Sequence, residues 1–266
     1  MNTLLHDRFE TTDGSRADAT AFVDDGARSI PLAAFAVLAG GGDAFVGSGL
    51  IADPLHAAHA AQSAFEVHSN GAGTNVVEQV RKDIVRMLTH NPRLSDRVLR
   101  MKRVCVDVIP RGKAMSQWGF PAQMNDMCAG LFWDHPCWPV ARIALRFEHL
   151  SQDKALVVHE VAHALHRLAF SKGEQELIDR TVGPVVGAGA AVDEMFAIYS
   201  EAEFLAAFDD SDKRAPGIYG WARKMWSDDH VFTRFVRKLY FPHKPLAGDK
   251  VQKGERWKNY LGGSRR

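Results

Sequence analysis

The sequence predicts an α+β fold: a small sheet followed by a mostly helical C-terminal half. Three observations carry this. Residues 103–110, RVCVDVIP, are rich in valine, and residues 140–148, VARIALRFE, alternate Ala141, Ile143, Leu145 and Phe147 against Arg142, Ala144 and Arg146, so both read as strands. Residues 75–90, 156–170, 174–182 and 191–208 have helical period or composition, and three of the four follow the second strand. The chain has 266 residues, 46% hydrophobic and 24% charged, which suits one large soluble domain or two small ones.

In chain order, residues 1–29 are polar, with many Thr, Asp, Ser and Arg, and are expected to be poorly ordered. Residues 30–52 are apolar but broken by glycines, as in an extended arm over the domain. Residues 53–69 are rich in Ala and His and read as a helix. His56 and His59 in it are three apart, yet no acidic partner follows at helical spacing, so they read as surface histidines. The helix at 75–90 has an apolar stripe of Val76, Val77, Val80, Ile84, Met87 and Leu88. Asn75 with Glu78 resembles a capping box, and Asn91-Pro92 ends the helix. A short helix follows at 95–101.

Residues 111–139 mix Gly, Pro, Trp and Met without period and read as a loop region with short strands. Asp134 and His135 in GLFWDHPCWP fit a structured loop anchored by Trp133 and Trp138 better than a metal site. Ser151 or Asp153 can cap the helix at 156–170. GPVVGAG at 183–189 is expected to break the helix at 174–182, and Pro216-Gly217 marks a turn. Ser227 can cap a last helix over 228–239, ended by Pro242. Residues 243–266 are basic and nearly free of apolar side chains, as in a mobile tail.

The net charge is +1, so no global bias points to nucleic acid or a membrane surface. No apolar run reaches the roughly 18 residues of a membrane helix, and the N-terminal residues lack the basic-then-apolar order of a secretory signal. Cys105, Cys128 and Cys137 are odd in number and lack C-x-x-C spacing, which favours reduced thiols over a disulfide between Cys128 and Cys137. The expected setting is cytoplasmic, or outside the cell by an export route without a standard signal.

The chemistry concentrates in LVVHEVAHALHRLAF, residues 156–170, which contains His159, Glu160 and His163 as H-E-x-x-H. Residues four apart share a helix face, so the two imidazoles can share one metal ion while Glu160 deprotonates a water on it. The segment is apolar nearly all round, as in a buried helix, and two imidazoles and a carboxylate there are costly unless paired. Zinc, Zn²⁺, would pair them.

A catalytic zinc takes three protein ligands and a water. His166 lies on the ligand face but about 10 Å beyond His159 along the same helix, too far to close on one ion. On the helix at 191–208, Glu194 and Glu201 are seven apart on a face that also carries Ile198 and Leu205, so either acid can complete a His2Glu site. The acid that does not bind the metal can orient a ligand imidazole. For a donor to the developing oxyanion, the candidates are Tyr219, in the Gly-flanked segment GIYGW, and His230. Tyr199, five residues from Glu194, is turned away from that face.

HEVAH followed by EMFAIYSE resembles the gluzincin peptidases, within them the anthrax lethal factor-like and Mlc titration factor group. The resemblance covers roughly residues 104–205. It implies that the third ligand is Glu194, the first Glu of the later helix, and leaves Glu201 behind a ligand imidazole. It also implies a zincin-like fold, with residues 30–242 as one catalytic domain: a small twisted sheet, an active-site helix beneath it and a helical lobe carrying the Glu. The edge strand would be residues 140–147, pairing with an extended peptide or protein substrate. The function so implied is a zinc metallopeptidase. Two alternatives stand beside it: an effector or toxin-type protease acting on one protein, and a partner-binding regulatory protein on a zincin scaffold with little turnover.

Overall fold

The computed structural model describes residues 53–125, 128–150, 155–186, 190–207 and 231–242. The expectations for residues 1–52, for the caps Ser151, Asp153 and Ser227, for the turn at Pro216, for Tyr219 and His230, and for the tail from 243 fall outside these.

Helix α1, Pro54–Ala64, begins where Asp53 accepts hydrogen bonds from the N–H groups of Leu55 (3.1 Å) and His56 (3.0 Å), with Pro54 in the first turn. It ends earlier than the composition suggests. Phe65–His68 leaves the helix and forms strand β1. A four-residue strand is too short to show a period, and tertiary pairing overrides the helical composition of 53–69. Helix α2 is Thr74–Thr89 and α3 is Pro92–Arg100, the latter capped by Asn91, which accepts from Arg93 and Leu94 N–H. The expected box of Asn75 with Glu78 does not form. Gly73 is the N-cap without a side-chain bond, Asn75 lies inside the helix, and Glu78 pairs with Arg81.

Strand β2 is Val104–Ile109, β3 is Gly130–Trp133 and β4 is Ala141–Arg146. The sheet order is β1-β2-β4-β3, with β3 antiparallel to β4 and the other pairs parallel. The resemblance implies that residues 140–147 are the edge strand. The structure corrects this: β4 is internal, between β2 and β3, and among the described residues β3 is the edge on this side. The alternation in β4 misleads because its polar face is covered too. Arg142 reaches Asp107 (2.6 Å) and the Trp118 carbonyl, and Arg146 reaches the Asn125 carbonyl and Glu148, all beneath the loop that follows β2.

The two faces of the sheet serve different layers. Val104, Val106, Val108, Ala141, Ile143 and Leu145 face the helices. Ile109 and Ala144 face Met115, Phe120, Met124 and Leu131 of the loop region and β3. A single helical turn, Phe147–Leu150, follows β4.

Helix α4, Leu156–Ala164, carries the H-E-x-x-H residues and packs against α2, β3 and β4. It continues as a π-helical turn, Leu165–Ala169. Helix α5 is Lys172–Val186, opened by a capping box that the sequence reading missed: Ser171 N–H and hydroxyl both donate to Glu174 Oε2, at 2.7 and 2.9 Å. It runs through Gly183 and Pro184 instead of stopping at 182. A proline in the last turn removes one backbone bond there, and Ile178 and Val182, both buried, tie the helix to the core. Helices α6, Ala190–Ala207, and α7, Val231–Tyr240, are the remaining helices of the described residues, and α4 lies along α6. One continuous core runs from Ala57 to Phe241. No helix among the described residues is long and apolar enough to cross a membrane.

Candidate metal centre

Two antiparallel helices build the site. In α4, the spacing of four sets His159 and His163 on one face, with their Nε2 atoms 3.1 Å apart. From α6, the Glu194 carboxylate meets both: Oε1 is 3.3 Å from His159 Nε2, and Oε2 is 3.5 Å from His163 Nε2. The ligand atoms of the three residues lie within 4.8 Å of one another.

Behind this trio, Glu201 Oε1 contacts Nδ1 of His159, leaving Nε2 to face Glu194 and His163. Burial opposes a charge on His159, but Glu201 and then Glu194 outweigh it and raise its pKa well above the ordinary histidine value. Burial likewise works against ionised Glu194, yet the two imidazoles hold its carboxyl well below the usual range. Both carboxylates of the α6 face are therefore engaged with α4, and neither is a solvated helix-face charge.

Glu160 is 4% exposed, and its side chain lies against Gly130 of β3. Burial raises its pKa, and Glu194 adds to this, against the pull of both imidazoles and of the Phe132 backbone N–H. Its neighbour is Gly130: a Cβ built there would sit 2.5 Å from Glu160 Oε1 and 2.7 Å from its Cγ. Cys128, just before β3, lies in the field of Glu160 and Glu194, and burial followed by these carboxylates pushes its thiol up to about 12. All three cysteines are free thiols.

The remaining candidates fall elsewhere. His166 is buried in the π-turn against Asp193 and is not part of the trio. Tyr199 is buried against Phe232, 5.2 Å between ring centroids, away from the cluster. His56 is bound by Asp96 of α3 at 2.9 Å, an acidic partner that local spacing could not reveal. Asp134 pairs with Lys102 and His135 accepts from Cys137 N–H, so DHPCWP, which follows β3, is a braced loop. Tyr219 and His230 lie outside the described residues.

Three participants escaped the sequence reading: Asp193, Gly130 and the Phe132 N–H. Asp193 stood among the acids of EMFAIYSE's helix without a partner in sequence. Gly130 carried no signal, because the contact that requires glycine comes from residue 160.

No protein-family model matches the chain, nor does any curated protein or solved structure compared with it.

Proposed function

We propose that the protein is a zinc-dependent metallopeptidase of gluzincin type, with a zincin-like catalytic domain. The observation that carries the reading is the convergence of His159, His163 and Glu194, three donors from two helices within 4.8 Å of one another. Two imidazole nitrogens and one carboxylate are the donor set of a catalytic zinc that keeps an open position. The Glu201 contact supports it further, because an imidazole held at Nδ1 presents Nε2 to a metal in a fixed orientation.

In this reading His159, His163 and Glu194 hold the ion. Bound zinc would supply Lewis acidity, polarising the scissile carbonyl and bringing a water's pKa near 7. Glu160 is the general base: its raised pKa suits a group that takes a proton from water and returns it to the leaving amine. The β3 edge opposite β4 offers backbone groups to an extended peptide, which would dock by strand addition next to Glu160. Substrate is thus expected to be an unfolded or extended segment of a peptide or protein.

The test is metal analysis of the purified protein with proteolysis profiling. About one zinc per chain is expected. His159→Ala, His163→Ala and Glu194→Ala should each lose most of it, because two remaining ligands hold zinc poorly. Glu160→Gln should keep the metal and lose cleavage by about 10²-fold or more. Zinc content unchanged in the three ligand variants removes the site. Zinc bound without Glu160-dependent cleavage favours the partner-binding scaffold.

A further inference from the structure

The acids of α6 form a ladder against α4 and its continuation. Glu201 meets His159, Glu194 meets His159 and His163, and one residue before Glu194, Asp193 meets the π-turn. Asp193 Oδ1 lies 2.6 Å from His166 Nδ1, and its Oδ2 accepts from the Arg167 guanidinium. Asp193 and His166 are both buried, at 6% and 3% exposure.

The π-turn that supplies these two partners is itself pinned. The His166 ring stacks on Phe196 of α6, centroids 5.0 Å apart, and meets the edge of Phe170 at 6.0 Å. A π-turn shifts carbonyls out of the α-helical ladder. Here the Gln175 amide donates to two of them, the carbonyls of His166 (2.9 Å) and Arg167 (3.1 Å), and to that of Phe170 just after the turn (3.3 Å). A five-residue π-turn so bonded is a fixed anchor at the end of the H-E-x-x-H helix.

Glu194 needs such an anchor. It lies near the start of α6, where helix ends fray, yet it must meet two imidazoles on another helix. We propose that Asp193 is a positioning residue for the metal centre: by clamping His166 and Arg167 it fixes the register of α6 against α4, and so delivers the Glu194 carboxylate to His159 and His163. This rests on the reading that the trio binds a divalent metal. It assigns the H-R pair after H-E-x-x-H-x-x a role in preorganising the third ligand rather than in touching metal or substrate.

The full-length protein tests it. Zinc affinity is measured by chelator competition, cobalt substitution reports ligand geometry through visible absorption, and melting of the chelated protein reports structure alone. Asp193→Ala is expected to weaken zinc by about 10- to 100-fold and to reduce the cobalt band. Asp193→Asn, the same shape with one acceptor kept, should recover much of the loss. Arg167→Gln changes a half-exposed side chain that folding tolerates, and should weaken zinc by up to about 10-fold. Zinc affinity within about twofold of wild type in both Asp193→Ala and Arg167→Gln, with His159→Ala, His163→Ala and Glu194→Ala still losing the metal, overturns the clamp and leaves the centre standing. A lower melting temperature with unchanged affinity overturns it equally. If Asp193→Ala does not fold, unchanged affinity in Arg167→Gln alone is decisive against it. Wild-type protein that holds no zinc through the trio removes both readings.

Discussion

Gly130 shows how one residue's side chain can be dictated by a partner thirty positions away. Its Cβ would fall 2.5 Å from Glu160 Oε1 and 2.8 Å from its Cδ, too close for any real contact. The Glu160 carboxylate is buried, so it has little room to swing aside. If Glu160 is the general base, Gly130→Ala is expected to displace it while leaving His159, His163 and Glu194 in place. Zinc content should stay at the wild-type value and cleavage should fall on the order of 10²-fold, the cost of a misplacement of about 1 Å. Full activity in the alanine variant would show that the carboxylate works from another position.

Between elements, the lobe is joined by polar contacts as well as by apolar ones. Arg237 of α7 forks onto Glu203 of α6 with two bonds of 2.9 Å, both residues being under 10% exposed. One turn away, the Tyr240 hydroxyl donates to Ser200 at 2.9 Å, and Asn91 Nδ2 donates to the Leu239 carbonyl at 2.6 Å, tying α7 to the start of α3. Removing one partner of a buried pair leaves an uncompensated charge. Arg237→Ala should cost about 3–5 kcal/mol by urea denaturation, whereas replacing both residues with apolar ones of similar size should cost far less. An Arg237→Ala loss below about 1 kcal/mol would place Glu203 in water.

For the molecule as a whole, the site bridges the sheet layer and the helical lobe: α4 packs on β3 and β4, and α6 packs on α4, α5 and α7. A metal held by both α4 and α6 binds only the assembled form, so it stabilises the entire domain by mass action. Zinc at about 100 times its Kd adds about 2.7 kcal/mol. At about 2–4 °C per kcal/mol, chelation should lower Tm by about 5–10 °C, in one transition. An unchanged Tm, or a separate melting of the lobe, would mean that the ion does not link the two layers.

The sequence by itself determined that His159 and His163 share one face of α4, that Glu194 and Glu201 share one face of α6, and the mixed helix–sheet class. These rest on spacings within one element: four residues between His159 and His163, seven between Glu194 and Glu201, and alternation in β4. Short elements escaped it. The four-residue strand β1 contains too few positions to show a period and reads as part of a helix, β3 is expected only as one of the unplaced short strands of 111–139, and the capping box at Ser171 and Glu174 is missed. Only the tertiary structure decided that β4 is internal and β3 is the edge, because the loop after β2 covers the arginine face that makes β4 look solvent-facing. It alone brought Glu194 onto His159 and His163, set Gly130 against Glu160 and gave Asp193 its partners in the π-turn. Each of those is a contact between residues at least 26 positions apart, and no local period encodes which helix crosses which.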